Sequence, residues 1–81
     1  MNILYFAWVR ERIGLPREKV ETSARTVLDL VEELRAREEC YAVAFSDLSG
    51  LRVAVDQELA DFDALLEGVR EVAFFPPMTG G

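Results

Sequence analysis

The two ends of this chain constrain its fold more than anything between them. Asn2 to Val9 reads Asn-Ile-Leu-Tyr-Phe-Ala-Trp-Val, and Val69 to Phe75 reads Val-Arg-Glu-Val-Ala-Phe-Phe. The first segment is continuously apolar and rich in aromatic and branched residues, the pattern of a strand covered on both faces and therefore central in a sheet. Along it, Ile3, Tyr5 and Ala7 would point one way, and Leu4, Phe6 and Trp8 the other. The last segment is almost as apolar. Two such strands account for one another if they lie side by side in the middle of a single sheet.

The intervening sequence supplies the rest of a small two-layer domain. Arg10 to Pro16 is charged, contains Gly14 and reads as a connection. Lys19 to Thr22, with Val20 between polar neighbours, suits a short second strand nearer an edge. Thr26 is a good helix N-cap, and Asp29 three residues on echoes a capping box. Val27, Leu30, Val31 and Leu34 then fall at i, i+3, i+4 and i+7, one apolar stripe. The charge run Arg35 to Glu39 reads as a solvated helix end. Tyr41 to Gly50 is compatible with a short second helix. Leu51 to Val55 alternates as a half-buried strand, with Leu51, Val53 and Val55 on one face and Arg52 and Ala54 on the other. Asp56 to Glu67 suits a turn and a short strand or irregular segment, punctuated by Gly68. The apolar stripe of the helix needs a sheet face to cover, so an α+β domain follows, a mixed sheet with one main helix on one face. With the two apolar strands at its centre, that arrangement is the β-grasp.

Composition narrows the chemistry. With 81 residues there is room for one domain, expected over 1–75 with an extended tail over 76–81, and 51% hydrophobic residues are enough to fill one core. No apolar run reaches the length of a membrane span, and the apolar start lacks the basic leader of a signal peptide, so a cytoplasmic protein without membrane contact is expected. Histidine is absent and Cys40 is the single cysteine. That removes His-based nucleophile pairs, an internal disulfide and the usual zinc ligands, so no metal is expected. Asp56, Asp61 and Asp63 do not have the spacing of a calcium loop. The net charge of −6 disfavours nucleic acid. It favours a basic partner surface, although the same acidity also serves solubility alone. Trp8 is expected in the core, and Cys40 at a partly buried helix end with nothing nearby to activate its thiol.

The ending, Phe74-Phe75-Pro76-Pro77-Met78-Thr79-Gly80-Gly81, carries the chemistry. Proline cannot donate to a sheet ladder, so the last strand must stop at Phe75. Two successive prolines favour a stiff extended segment leading away from the body. Gly80 and Gly81 have no side chains and fit a channel only as wide as a backbone. The Gly81 carboxylate is an anion at neutral pH and a poor electrophile. To accept sulfur or an amine it must first be activated, most naturally as an acyl-adenylate made from ATP. The chain has no Gly-rich nucleotide loop, so activation falls to a partner and no cofactor is bound here. Phe74 and Phe75 point to opposite sides. Phe75, Pro76 and Pro77 are expected at a partner interface, the alternative being that both rings cover the domain's own core.

These residues resemble the sulfur-carrier small subunits of molybdopterin synthase along essentially the whole chain. The likeness is tightest at Leu4 to Glu11, at Val53 to Glu58 and at Glu71 to Gly81. The Phe-Pro-Pro lead-in sets it apart from the related thiamine-pathway carriers, which also end in Gly-Gly. The resemblance implies that an E1-like adenylyltransferase adenylates Gly81 and that a sulfur donor system converts it to a thiocarboxylate. It further implies that the tail, through Phe75, Pro76, Pro77, Met78, Thr79 and Gly80, threads into the large synthase subunit. There the sulfur goes to cyclic pyranopterin monophosphate, in a heterotetramer whose catalytic side chains belong to the large subunit. Three positions depart from the family pattern: Asp56 stands for the usual Asn, Val69-Arg70-Glu71 for Gly-Asp-Glu, and Met78 for Val. The readings that compete are a carrier for thiamine or tRNA thiolation and a ubiquitin-like interaction domain.

Overall fold

A computed structural model of the chain describes residues 1–77; the expected tail residues Met78, Thr79, Gly80 and Gly81 lie outside the described residues. The elements run β1 (Asn2–Tyr5), α1 (Ala7–Ile13), β2 (Arg17–Lys19), α2 (Val27–Arg37), α3 (Glu39–Ala44), a 3-10 turn (Leu48–Gly50), β3 (Arg52–Val55), β4 (Glu58–Ala60) and β5 (Glu71–Phe75). The strands form one mixed sheet in the order β2-β1-β5-β3-β4. The first and last strands are neighbours, parallel, with Ile3 opposite Val72 and Tyr5 opposite Phe74. β5 pairs on its other side antiparallel with β3, so it is the central strand. This is the α+β, β-grasp arrangement, with α2 as the main helix on one face.

Strand alternation divides the sheet into two faces. Ile3, Tyr5, Val53, Val72 and Phe74 form one side and join Val9, Ile13, Val27, Leu30, Val31, Leu34, Tyr41 and Phe45 in a single core. Burying each large apolar side chain contributes about 1.5–3 kcal/mol. Phe74 is the meeting point, edge-on to Phe45 with ring centroids 5.0 Å apart and stacked on Tyr5 at 6.2 Å. Among the described residues, no helix lies over the other face. The two-sided burial expected for β1 therefore fails: Ile3 and Tyr5 are buried, whereas Leu4 is only half-buried and Phe6 is exposed.

β1 is also shorter than expected. It ends at Tyr5, and the segment read as more strand and connection is α1. Phe6 caps that helix, and Ala7 takes a left-handed φ of 53° that swings the chain out of the sheet. Val9 and Ile13, four apart, bury one face of α1, while Arg12 lies 4.6 Å from the ring centre of half-buried Trp8. Gly14 closes the helix at φ 91°, a conformation that suits glycine, and its N–H donates to the Arg10 carbonyl at 2.8 Å. β2 lies two residues earlier than expected, and Val20 continues its pairing by donating to the Met1 carbonyl.

The main helix follows the sequence pattern. The Thr26 side chain accepts from the Asp29 N–H, and Val27, Leu30, Val31 and Leu34 are buried. The N–H groups of Val27 and Leu28 donate to the carbonyls of Ala64 and Phe62, which ties the irregular segment after β4 to the helix start. The end of α2 is not merely solvated. Arg35 donates to the Phe45 carbonyl beyond α3 and pairs with Glu32, and Arg37 approaches Glu18 at 3.7 Å.

Glu18 is a hub that the sequence did not reveal. From edge strand β2 it turns inward and accepts from the hydroxyls of Tyr5 at 2.8 Å and Tyr41 at 2.5 Å. Burial, and then the bond to this carboxylate, push the Tyr41 hydroxyl up to about 12 and raise that of Tyr5 further. Both therefore remain protonated donors at neutral pH and satisfy a part-buried carboxylate.

The hairpin between β3 and β4 has a two-residue loop, Asp56-Gln57, with both residues left-handed at φ 48° and 70°. This is the mirror-image turn that matches strand twist, and Asp is among the residues that tolerate it. Asp56 also clasps the sheet: its carboxylate accepts from the N–H groups of both Arg70 and Glu71 at 3.0 Å, and its own N–H donates to the Glu71 carbonyl. The contacts at Val69-Arg70-Glu71 are thus made by backbone, with Gly68 at φ 75° supplying the turn before them. Replacing Asp56 by Ala should cost about 1–3 kcal/mol, because two donors lose their partner. Asp56→Asn keeps an acceptor in place and should cost less than about 1 kcal/mol. Urea unfolding of both variants checks the difference.

Candidate functional site

The uncovered face of the sheet is built by strand register. Residues paired across strands share a face, and one row runs Arg17, Leu4, Ala73, Ala54, Leu59 from edge to edge. Two small alanines thus lie at the centre, between Leu4 and a Leu59 that is 73% exposed. The next row toward the end of β5 sets Phe75 opposite Arg52. Phe6 stands beside it, its N–H donating to the Phe74 carbonyl at 3.1 Å, with its side chain 46% exposed. The left-handed Ala7 holds Phe6 there, since a continuing strand would have carried the chain on past β5.

Together these side chains enclose an open groove of about 640 Å³. Leu4, Phe6 and Ala7 line one side, Ala54 and Gln57 the other, Glu71, Ala73 and Phe75 the floor, and Pro76 and Pro77 the end. Its wall is overwhelmingly apolar. A single apolar residue at a protein surface is ordinary, but a contiguous apolar trough marks a surface that something covers. Strand β5 ends at Phe75, where the prolines begin, and Pro76 and Pro77 are both half-buried against the groove. The root of the tail is therefore part of the same surface.

The structure separates the two adjacent rings as alternation requires. Phe74 is fully buried under the helices, and Phe75 is half-buried in the groove on the opposite side. The groove thus brings together Phe75, Pro76 and Pro77. Among the other groove residues, Leu4, Phe6 and Ala54 are not expected site residues from sequence, nor is Leu59, which shares their sheet face outside the groove. Leu4 and Phe6 belong to the run expected to be a strand covered on both faces. Their common signal was available in the alternation of β1 and β3, which sets Leu4 and Ala54 away from the core-facing positions. Cys40 sits half-buried in the first turn of α3, its sulfur 3.7 Å from Glu38. Among the described residues, no group of three metal-ligating side chains converges, and no helix is long and apolar enough to cross a membrane.

A parallel pair of terminal strands at the centre of a mixed five-stranded sheet, one helical layer, and a chain leaving the central strand through a proline pair define a small ubiquitin-like β-grasp protein. The chain belongs to the ThiS family, whose model matches residues 3–81. It is 41% identical to the molybdopterin synthase sulfur carrier subunit of Escherichia coli over 81 residues, covering all of this chain and 99% of that protein. The subunits of the same name from Haemophilus influenzae and Mycobacterium tuberculosis are 35% and 38% identical, again over the whole chain and over 99% and 96% of their own lengths. Among solved structures, SAMP1 from Haloferax volcanii superposes with a TM-score of 0.77 at 24% identity, covering 100% of this chain and 98% of that one. A Pyrococcus furiosus structure described as molybdopterin converting factor subunit 1 superposes with a TM-score of 0.70 at 26% identity, covering 95% of each chain.

The two faces predict opposite behaviour for neighbouring rings. Phe74→Ala should cost about 3–5 kcal/mol of stability, as the loss of a fully enclosed aromatic does. Phe75→Ala should cost about 1 kcal/mol or less, because its ring covers only part of an open groove. Denaturant unfolding of the two variants checks this; equal losses would contradict the assignment of Phe75 to the open face.

Proposed function

We propose that this chain is the sulfur-carrier subunit of a molybdopterin synthase, and that its reacting group is the Gly81 carboxylate. The observation that carries the reading is full-length similarity to carriers of that name, together with a groove that ends at the root of a Pro-Pro-Met-Thr-Gly-Gly tail. An E1-like adenylyltransferase activates the carboxylate with ATP, forming a mixed anhydride with AMP and releasing pyrophosphate. Sulfide-level sulfur from a donor system attacks the acyl carbon and displaces AMP, leaving a thiocarboxylate. The thiocarboxylate sulfur then bonds to cyclic pyranopterin monophosphate, and water cleaves the acyl–sulfur bond, leaving the sulfur on the pterin and regenerating the carboxylate. These steps belong to the cytoplasm, where ATP is available.

In this reading the fold contributes position. The large subunit covers the groove formed by Leu4, Phe6, Ala54, Ala73 and Phe75, with Pro76 and Pro77 directing Met78, Thr79, Gly80 and Gly81 into its active site. Docking the body makes delivery of the terminal sulfur effectively intramolecular, and such tethering is worth several kcal/mol of the barrier. Two carriers on a large-subunit dimer would give a heterotetramer. Loading and delivery both need the same terminus, so the chain cycles between its partners.

Incubation with the activating enzyme, ATP and a sulfur source should produce an oxygen-to-sulfur mass change confined to the C-terminal peptide. Removal of Gly81 should abolish sulfur transfer while leaving the unfolding midpoint unchanged, since no core residue is disturbed. Transfer that survives the deletion, or an activated terminus that forms only amide bonds with other proteins, would overturn the assignment in favour of a different carrier or a modifier.

A further inference from the structure

We infer that the open sheet face carries a cationic rim that pairs with acidic side chains of the molybdopterin synthase large subunit; this rests on the docking face proposed above. The charge of the whole chain points the other way. At −6 it suggests a basic partner. The open face is locally reversed. The charged residues that the five strands present there are Arg17, Lys19 and Arg52, against one carboxylate, Glu71.

The placement is built by alternation. On β2 the side chain between the two cations, Glu18, is held inward by Tyr5 and Tyr41, so Arg17 and Lys19 are both turned to the open side. Arg17 lies opposite Leu4, and Lys19 opposite Asn2. Between them is a hollow of about 350 Å³ that shares Leu4 and Glu71 with the apolar groove, so rim and groove form one continuous surface. On the other flank Arg52 stands opposite Phe75, with a bond to the Leu51 carbonyl at 3.2 Å. Among the described residues none of the three cations forms an ion pair, although Arg35 and Arg37 do.

A partner that covers the groove strips water from these cations, and uncompensated charge at a covered surface is costly. Carboxylates on the partner opposite β2 and Arg52 remove that cost. The long stems of Arg17, Lys19 and Arg52 would also add apolar cover to the rim. Because the rest of the chain is acidic, an acidic patch on the partner is attracted to this face and repelled by the others. The rim therefore selects the docking orientation, which is the usual contribution of charge at an interface.

The test measures affinity for the purified large subunit across a salt series. The rim variant is Arg17→Gln with Lys19→Gln. The control, Arg10→Gln with Arg25→Gln, changes net charge equally at exposed positions off the sheet. The rim variant should bind about tenfold more weakly at low salt and lose most of the salt dependence, whereas the control keeps both close to wild type. Equal weakening in the two variants, or none in either, overturns the rim. Phe75→Asp separates the two levels of the argument. If it binds normally, the docking face itself is wrong. If it fails to bind while the rim variant binds like the control, only the rim is wrong. Unchanged thermal unfolding of each variant excludes a folding defect.

Discussion

The parallel pairing of the first strand with the last is the contact on which the rest depends. It places β5 at the centre of the sheet, hydrogen-bonded on both sides, with Phe74 locked among Tyr5, Phe45 and the helices. The point at which the chain leaves the sheet is thereby anchored to the most buried part of the domain. A tail starting from a frayed edge strand would begin at a poorly defined position. Here β5 ends at Phe75, one residue beyond the fully buried Phe74, and the following prolines cannot extend the ladder. The same strand serves both requirements by alternation, one ring into the core and the next toward the groove.

Much of this was legible in the sequence, and the failures at the start of the chain share a cause. The N-cap at Thr26, the buried stripe of α2, the inward positions of β3 and the stop at Phe75 all follow from local rules and are found as expected. The start of the chain misled because an apolar run implies burial but does not say against what. Among the described residues, Leu4 and Phe6 lie on a sheet face that no helix covers, so two-sided apolarity here accompanies an exposed apolar groove rather than a second core face. The same aromatic and branched residues hid α1, whose helical signals, Val9 with Ile13 and the cap at Gly14, are short and need tertiary packing to prevail. Glu18 was illegible for another reason: its partners come from β1, α3 and α2, and no local pattern brings Tyr5, Tyr41 and Arg37 to one carboxylate.

Departures from the family pattern are absorbed by backbone. Asp56 serves its turn through a left-handed conformation and its clasp through two main-chain donors, so the identity of residues 69 and 70 matters little to the hairpin. In the proposed cycle one surface must release the chain from a loading enzyme and present it to an acceptor. An apolar groove supplies contact area and a charged rim supplies orientation, and the two can be tuned separately.

The central claim is that the uncovered sheet face, not the helical layer, receives the partner. Backbone and methyl NMR of the isotopically labelled chain, recorded with and without the unlabelled large subunit, tests it directly. The account predicts that the largest changes fall on Leu4, Phe6, Ala54, Leu59, Ala73 and Phe75, while the exposed side of α2 keeps its free-state signals. Changes concentrated on α2 and α3, with the open face unaffected, would contradict it.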